Sequence, residues 1–276
     1  MEITKLVGYT TPEGFPGKND ADKIQKALDA AEAEDVRKVV FRGQYEVGQT
    51  LFVPTQTELV FEAGARVTMT GEGPLFTNRV AGEPEKNSWS FEDSLIYLKG
   101  AEGAVIEGGL SFYHARYIVL DHVVVEGSVS FEFCREVRME DDRITASGTA
   151  LTIGRGCNNF IMQRLSLKGK KDAVRIDASL SKGAYVIGKD ADVHELIFKD
   201  SELEGQTGIF MNANDTDGIF NVQIDHIRVK GNGLTIGDGS ERPKERFFNV
   251  TATEFETTGS GIILNNETKH CFFGEQ

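Results

Sequence analysis

One short pattern, written six times between Ala115 and the C-terminus, constrains this chain more than any other feature. Each copy places apolar or small residues at offsets 0, +2, +5 and +7 and follows them with a glycine. The copies begin Ile118-Leu120-Val123-Val125 with Gly127 and Val137-Met139-Asp142-Ile144 with Gly148, then Phe160-Met162-Leu165-Leu167 with Gly169. They continue as Leu196-Phe198-Ser201-Leu203 with Gly205, Val222-Ile224-Ile227-Val229 with Gly231, and Val250-Ala252-Phe255-Thr257 with Gly259. A second alternating pair comes after each glycine: Val129/Phe131, Leu151/Ile153, Val174/Ile176, Ile209/Met211, Leu234/Ile236 and Ile262/Leu264. Alternation puts one set of side chains in a core and its neighbours in solvent. Self-similarity with a drifting period of about 20–36 residues is the mark of a solenoid, and one turn of a parallel β-coil needs about that much chain. The 276 residues therefore read as one domain that grows by adding turns.

Helices between strands are lacking, which excludes a doubly wound α/β fold. One helix is expected: Asn19-Asp20 caps a segment running to about Asp35, with Ile24, Ala27, Leu28 and Ala31 on one face. Such a helix would cover the apolar interior and the open strand edge of the first turn. The domain thus divides into a lead-in and cap (1–37), first turns (38–69), a loop excursion (70–93) that holds Trp89 and Phe91, regular turns (94–268), and a tail (269–276). A further insertion is expected around Gly183–Asp192.

A formal net charge of −13 argues against nucleic acid as a partner. No apolar run is long enough to span a membrane. The start, Met1-Glu2-Ile3-Thr4-Lys5, has no apolar leader and reads as cytoplasmic; a leader removed beforehand would make the protein secreted. Cys134, Cys157 and Cys271 suggest neither a disulfide framework nor a metal knuckle. The five histidines show no metal-ligand spacing. Asp215-Thr216-Asp217-Gly218 reads as a turn rather than a calcium loop. Asp142 takes a position that is apolar in most copies, which demands a bulge or an internal hydrogen bond.

The segment Asp20–Ala31 resembles the capping helix of the pectin lyase-like superfamily. Phe41-Arg42-Gly43-Gln44-Tyr45-Glu46-Val47 and Leu59-Val60-Phe61-Glu62-Ala63-Gly64-Ala65 are similar to the stretch just after that helix in glycoside hydrolase family 28. Gly231–Gly239 looks like that family's Gly-His-Gly turn, and Gly261–Asn265 stands where its Arg-Ile-Lys turn would come next. The resemblance implies an all-β, right-handed single-stranded parallel β-helix with an N-terminal capping helix. It also implies a uronate-containing, pectin-like oligo- or polysaccharide as partner. The family's catalytic pattern is mostly replaced. Gly148-Thr149-Ala150 carries no carboxylate, Lys171–Asp177 keeps one of two aspartates, and Asn232 and Asn265 stand at the histidine and lysine positions; counting on from Asp172 instead puts the histidine turn at Gln206-Thr207-Gly208, again without histidine.

Glycoside hydrolysis needs two carboxyl groups about the scissile bond. Asp172 and Asp177 are the best local pair, although extended chain would hold them as much as about 17 Å apart. Arg175 between them is the alternative base of a lyase, or a partner for a uronate; calcium is implied only by the lyase reading. Lys171, Asn212, Asn214, Asn232, Asp238 and Asn265 form the expected sugar-binding strip, against their ordinary use as turn residues. Glu132 is a further outward carboxylate. The alternative to an enzyme is a non-catalytic glycan-binding or structural β-helix, with a second copy of the chain covering its C-terminal turn.

Overall fold

A computed structural model describes residues 8–34, 36–79, 93–179, 191–241 and 244–274. Trp89, Phe91 and the insertion at 183–190 lie outside them. The chain coils into a parallel β-helix with three sheet faces, every strand pairing in parallel with its counterpart one turn on. Three unbroken ladders of inward side chains define it. The first face stacks Val39, Leu59, Leu98, Leu120, Met139, Met162, Phe198, Ile224 and Ala252. The second stacks Val67, Ile106, Val125, Ile144, Leu167, Leu203, Val229 and Thr257. The third stacks Leu51, Phe76, Leu110, Val129, Leu151, Val174, Ile209, Leu234 and Ile262. The six copies thus align in the register that their offsets dictate.

The repeat also extends upstream of Ala115, where the sequence shows it poorly. The stretch expected to leave the coil at residue 70 includes the strand Pro74–Asn78, which supplies the third face of its turn. The stretch expected as a tail likewise begins a new turn with Phe272–Phe273. Both strands are short, and a few residues give too little alternation to read.

Single residues in the left-handed conformation make two of the bends. At the entry to the first face stand Gln56, Leu95, Tyr117, Glu136, Asn159, Glu195, Asn221 and Asn249, with φ between 53° and 59°. Between the first and second faces stand His122, Asp141, Arg164, Asp200, His226 and Glu254, with φ between 46° and 58°. These positions point outward, so two histidines fall there for a backbone reason. The glycine after each copy marks the next corner, and at all of them but Gly148 the backbone closely approaches other backbone, often that of the neighbouring turn: a Cβ on Gly127 would collide with the carbonyl of Gly108 in the preceding turn.

The helix α1 (Asp20–Ala33) starts at Asn19, whose side chain accepts from the Asp22 amide at 2.9 Å. Ala21, Ile24, Ala27, Leu28 and Ala31 are buried over the first turn. The exposed edge is closed on all three faces. Thr10 pairs with the first strand, donating to Lys38 O and accepting from Val40 N, each at 2.9 Å. Asp20 accepts from Glu46 N at 3.1 Å. Gln25 closes the third face, accepting from Phe52 N at 2.9 Å and donating to Phe52 O at 3.0 Å. An unpaired strand row invites foreign strands, and these contacts remove the invitation. No helix among the described residues is long and apolar enough to cross a membrane.

Asp142 is 1% exposed, and its Oδ1 accepts from the Val123 amide of the preceding turn at 2.7 Å. Ser201 serves Leu165 in the same way, at 2.9 Å. A polar residue at this offset caps an amide that the bend leaves unpaired. Oδ2 of Asp142 is buried with no partner, and burial lifts its pKa from 3.8 to about 7. Between those values the folded chain holds more protons than the unfolded one, so stability falls as pH rises through that window. Asp142→Asn keeps the accepting oxygen and never ionises. Its stability advantage over the parent should widen by roughly 2–3 kcal/mol between pH 5 and pH 8. Urea unfolding at both pH values measures it, and a constant difference would refute the account.

Candidate functional site

Buried polar side chains are not scattered over the shaft. Most track the third face and its corner with the next first-face strand: Asn78, Asp93, His114, Glu132, Asp172, Asp177, Asn212 and Asp217 are all at or below 9% exposure. Burying such groups costs free energy unless each is matched, and concentrations of them mark sites. The length of chain crossing this corner also varies most, from Tyr113–Ala115 to Asp177–Val193.

The strand Asp172–Asp177 brings the three expected catalytic residues together. Arg175 points outward between Val174 and Ile176. Its Nε and Nη2 donate to Asp177 Oδ2 at 2.9 and 2.6 Å. Its Nη1 lies 3.7 Å from Asp172 Oδ2. Asp172 is the first residue of the strand, and its carboxyl turns back toward Arg175. Because one planar guanidinium meets both carboxylates, their nearer oxygens are at most about 9 Å apart. The extended-chain separation of about 17 Å is thereby corrected. That bound admits the spacing of either a retaining or an inverting pair.

The two carboxyl groups sit in different surroundings. Asp177 is saturated: besides Arg175 it accepts from the Ser179 amide at 3.0 Å, from the Ser179 hydroxyl, and from Asn212 Nδ2 at 3.4 Å. Asp172 has fewer partners, Thr149 Oγ1 at 3.4 Å and the more distant Arg175. Burial pushes its pKa up, against the opposing pull of Lys171, Arg175 and the Thr149 hydroxyl. One carboxyl is thus biased toward its protonated form and the other is locked among donors.

The expected sugar-binding residues divide. Lys171 is exposed beside Asp172, and neither it nor Lys170 pairs with a carboxylate among the described residues. Asn212 stands in register with Asp177 and bonds to it. Asn232 lies in the Asp172 column two turns on, through Thr207, and its Oδ1 accepts from Ser260 N at 3.2 Å. The others serve the backbone. Asn214 Oδ1 accepts from Thr216 N and Asp217 N at 2.7 and 2.6 Å, which makes Asp215–Gly218 a turn. Asp238 accepts from Ser240 N at 2.9 Å, and Asn265 donates to Gly237 O at 3.0 Å.

Two features escaped the sequence reading. Phe210 lies in register with Arg175, and the guanidinium carbon sits 4.8 Å from its ring centre. The outward column continues the other way through Thr152, Ser130 and Ser111, a row of hydroxyl groups leading to the arginine. All are middle residues of the alternating triplets, so the signal was present in the repeat. The second feature is Arg155, whose Nη2 meets Asp217 Oδ2 at 2.9 Å. It comes from a loop contact that no periodicity encodes.

The carboxylates that would serve calcium face Arg175, whereas calcium takes 6–8 oxygen ligands. The residues do not fit that ion, and no described group of three or more His, Cys, Asp or Glu is arranged for a metal. A groove of about 560 Å³ lies on the second face instead of at this strand. Its charges neutralise one another, Lys168 and Lys230 lying 2.7 and 3.4 Å from Glu204, which reads as a solvated ion-pair ladder.

No family model matches the chain, and no curated protein matches it. Among solved structures it is similar to a family 28 exopolygalacturonase of Yersinia enterocolitica, at 10% identity over 96% of this chain and 77% of that one, TM-score 0.46. It is similar to the A-module of the mannuronan C-5 epimerase AlgE6 of Azotobacter vinelandii, at 11% identity over 98% and 100%, TM-score 0.45. It is also similar to the surface adhesin PfbA of Streptococcus pneumoniae, at 10% identity over 96% and 100%, TM-score 0.40. These are likenesses of the coiled backbone, and the site rests on its own geometry.

Proposed function

We propose that this is a carbohydrate-active β-helix whose third face, at Lys171–Asp177, engages a uronate-containing glycan. The observation that carries the reading is the gathering of buried polar groups along one edge, beside two exposed lysines and a row of hydroxyl side chains. The hydroxyls suit sugar hydroxyls, and Lys170 and Lys171 supply local positive charge on an acidic protein. Binding is the reading favoured first, because Arg175 and Asp177 are already saturated by each other.

A second reading, hydrolysis, is favoured by Asp172. A carboxyl biased toward protonation within about 9 Å of a fixed carboxylate has the character of a general acid beside a base. The lyase reading is weaker, since the Arg175 guanidinium is already engaged by Asp177 and faces Asp172.

Polygalacturonan, pectin and alginate oligomers separate these readings, with binding measured by calorimetry, hydrolysis by new reducing ends, and elimination by ultraviolet absorbance of the unsaturated product. Lys171→Ala should weaken binding of acidic oligomers. Asp172→Asn should abolish any hydrolysis and leave binding in place. Absence of both binding and turnover on every uronate would refute the proposal.

A further inference from the structure

The first face carries a feature that the third-face site does not use. Most left-handed positions at its entry hold polar residues, as the conformation favours. Leu95 and Tyr117, on consecutive turns, break the rule with φ of 59° and 53°. Bulky side chains are strained in that region. Both are nevertheless exposed, at 52% and 44%, and Tyr9 nearby is 48% exposed. Burial therefore gives no reason for either choice.

These residues border a hollow of about 640 Å³ that Tyr9, Gln56, Leu95 and Tyr97 help to line. Tyr117 continues it one turn along, in the column of Leu95. Each tyrosine is held in place. Arg42 donates to the Tyr9 hydroxyl at 2.8 Å, with its guanidinium carbon 4.9 Å from the ring centre. Tyr97 donates to Asp121 Oδ2 at 2.6 Å. The Arg116 guanidinium carbon sits 5.2 Å from the Tyr117 ring centre. Fixed aromatic surfaces bind without a large ordering cost.

Of the cations on the rim, Arg37 donates to Thr55 O at 3.4 Å. Lys38 meets Glu58 at 2.8 Å and Arg42 meets Glu62 at 3.1 Å. A charged ligand gains little there, whereas an uncharged one with an apolar face and a hydroxyl edge fits. A pyranose ring has that form, its C–H face lying against an aromatic ring. Tyr97 and Tyr117 stand on consecutive turns in neighbouring outward columns, Tyr97 in register with Val119 and Tyr117 in the column of Leu95, so their rings are offset along the strand as well as by the turn spacing of about 4.8 Å.

We propose that this hollow is a second glycan subsite that takes a neutral oligosaccharide by stacking on Tyr9, Tyr97 and Tyr117. The proposal rests on the carbohydrate reading but not on the acidic site. Failure of uronate binding at Lys171 would leave it standing.

Affinity electrophoresis through gels containing xylan, mannan or a neutral β-glucan tests it, with Kd measured on the matching hexasaccharides. At least one polymer should retard the parent protein. Tyr97→Ala and Tyr117→Asn should each weaken Kd by about fivefold or more, and Lys171→Ala should leave it unchanged. Asparagine suits the left-handed conformation, so Tyr117→Asn should fold with a Tm no lower than the parent's. Three outcomes would overturn the proposal: no retardation on any neutral polymer, retardation unchanged by Tyr117→Asn, or loss of it in Lys171→Ala. Sedimentation showing a dimer that Tyr117→Asn dissociates would assign the surface to a second copy of the chain, and would overturn it equally.

Discussion

Gly231→Ala should be among the most damaging single-methyl changes in this chain. Gly231 has φ of 133°, where L side chains rarely go, and an added Cβ would land on the carbonyl oxygen of Gly205 in the turn below. Neither atom belongs to a flexible side chain, so the turns themselves must separate. A loss on the order of 3 kcal/mol is expected, seen as a fall of roughly 6–12 °C in Tm. Gly148 is the internal control. It closes an equivalent copy, yet a Cβ there meets nothing within 4 Å. Gly148→Ala should be neutral or slightly stabilising, by about 0.4–1 kcal/mol. Equal Tm values for the two variants would show that the stacked corner does not set the cost.

Arg175→Ala should have a comparable effect for an electrostatic reason. Its removal leaves the Asp172 and Asp177 side chains, 5% and 2% exposed, without their shared cation. Breaking a buried pair in this way costs about 3–5 kcal/mol near neutral pH. The loss should shrink as pH falls and the abandoned carboxylates take up protons. Asp177→Asn in the same background should recover much of it. Denaturant unfolding at pH 7 and pH 4.5 provides the measurement, and a loss that ignores pH would point to packing on Phe210 instead. Arg175→Ala is for this reason a poor probe of activity on its own; Lys171 and Asp172 serve better.

The ladders were legible because the inward positions obey one rule in every copy. Val125, Ile144, Leu167, Leu203 and Val229 align as their offsets require. Asp142 stood out for the same reason, and its internal hydrogen bond arises from its being a bend residue. The site was less legible. That charged residues gather at Lys171–Asp177 could be read from the sequence. That one guanidinium gathers both aspartates could not, because it depends on the turn of the Asp172 carboxyl at the corner. Asn214, Asp238 and Asn265 show the converse difficulty. Asparagine and aspartate are as well suited to capping a bend as to meeting a sugar, and composition does not distinguish the two uses. Tyr117 and Leu95 went unnoticed because their oddity is conformational: the sequence shows ordinary residues, and only φ shows that they are strained.

The left-handed bend between the first two faces has a further consequence. The chain spends the same number of residues crossing it in every turn from Leu120–Val125 to Ala252–Thr257. The corner after the third face obeys no such rule: the chain crosses it in two residues from Tyr113 to Ala115, but takes much more from Asn78 to Asp93 and from Asp177 to Val193. The corner between the second and third faces changes less, from Val125–Val129 to Ile144–Leu151. The largest changes in chain length therefore fall at one margin of the shaft, which borders the charged strand. Such a molecule can acquire new contacts by insertion there without disturbing a single ladder. Between the first two faces from Leu120 onward, where the spacing is constant, change comes by substitution, one outward side chain at a time.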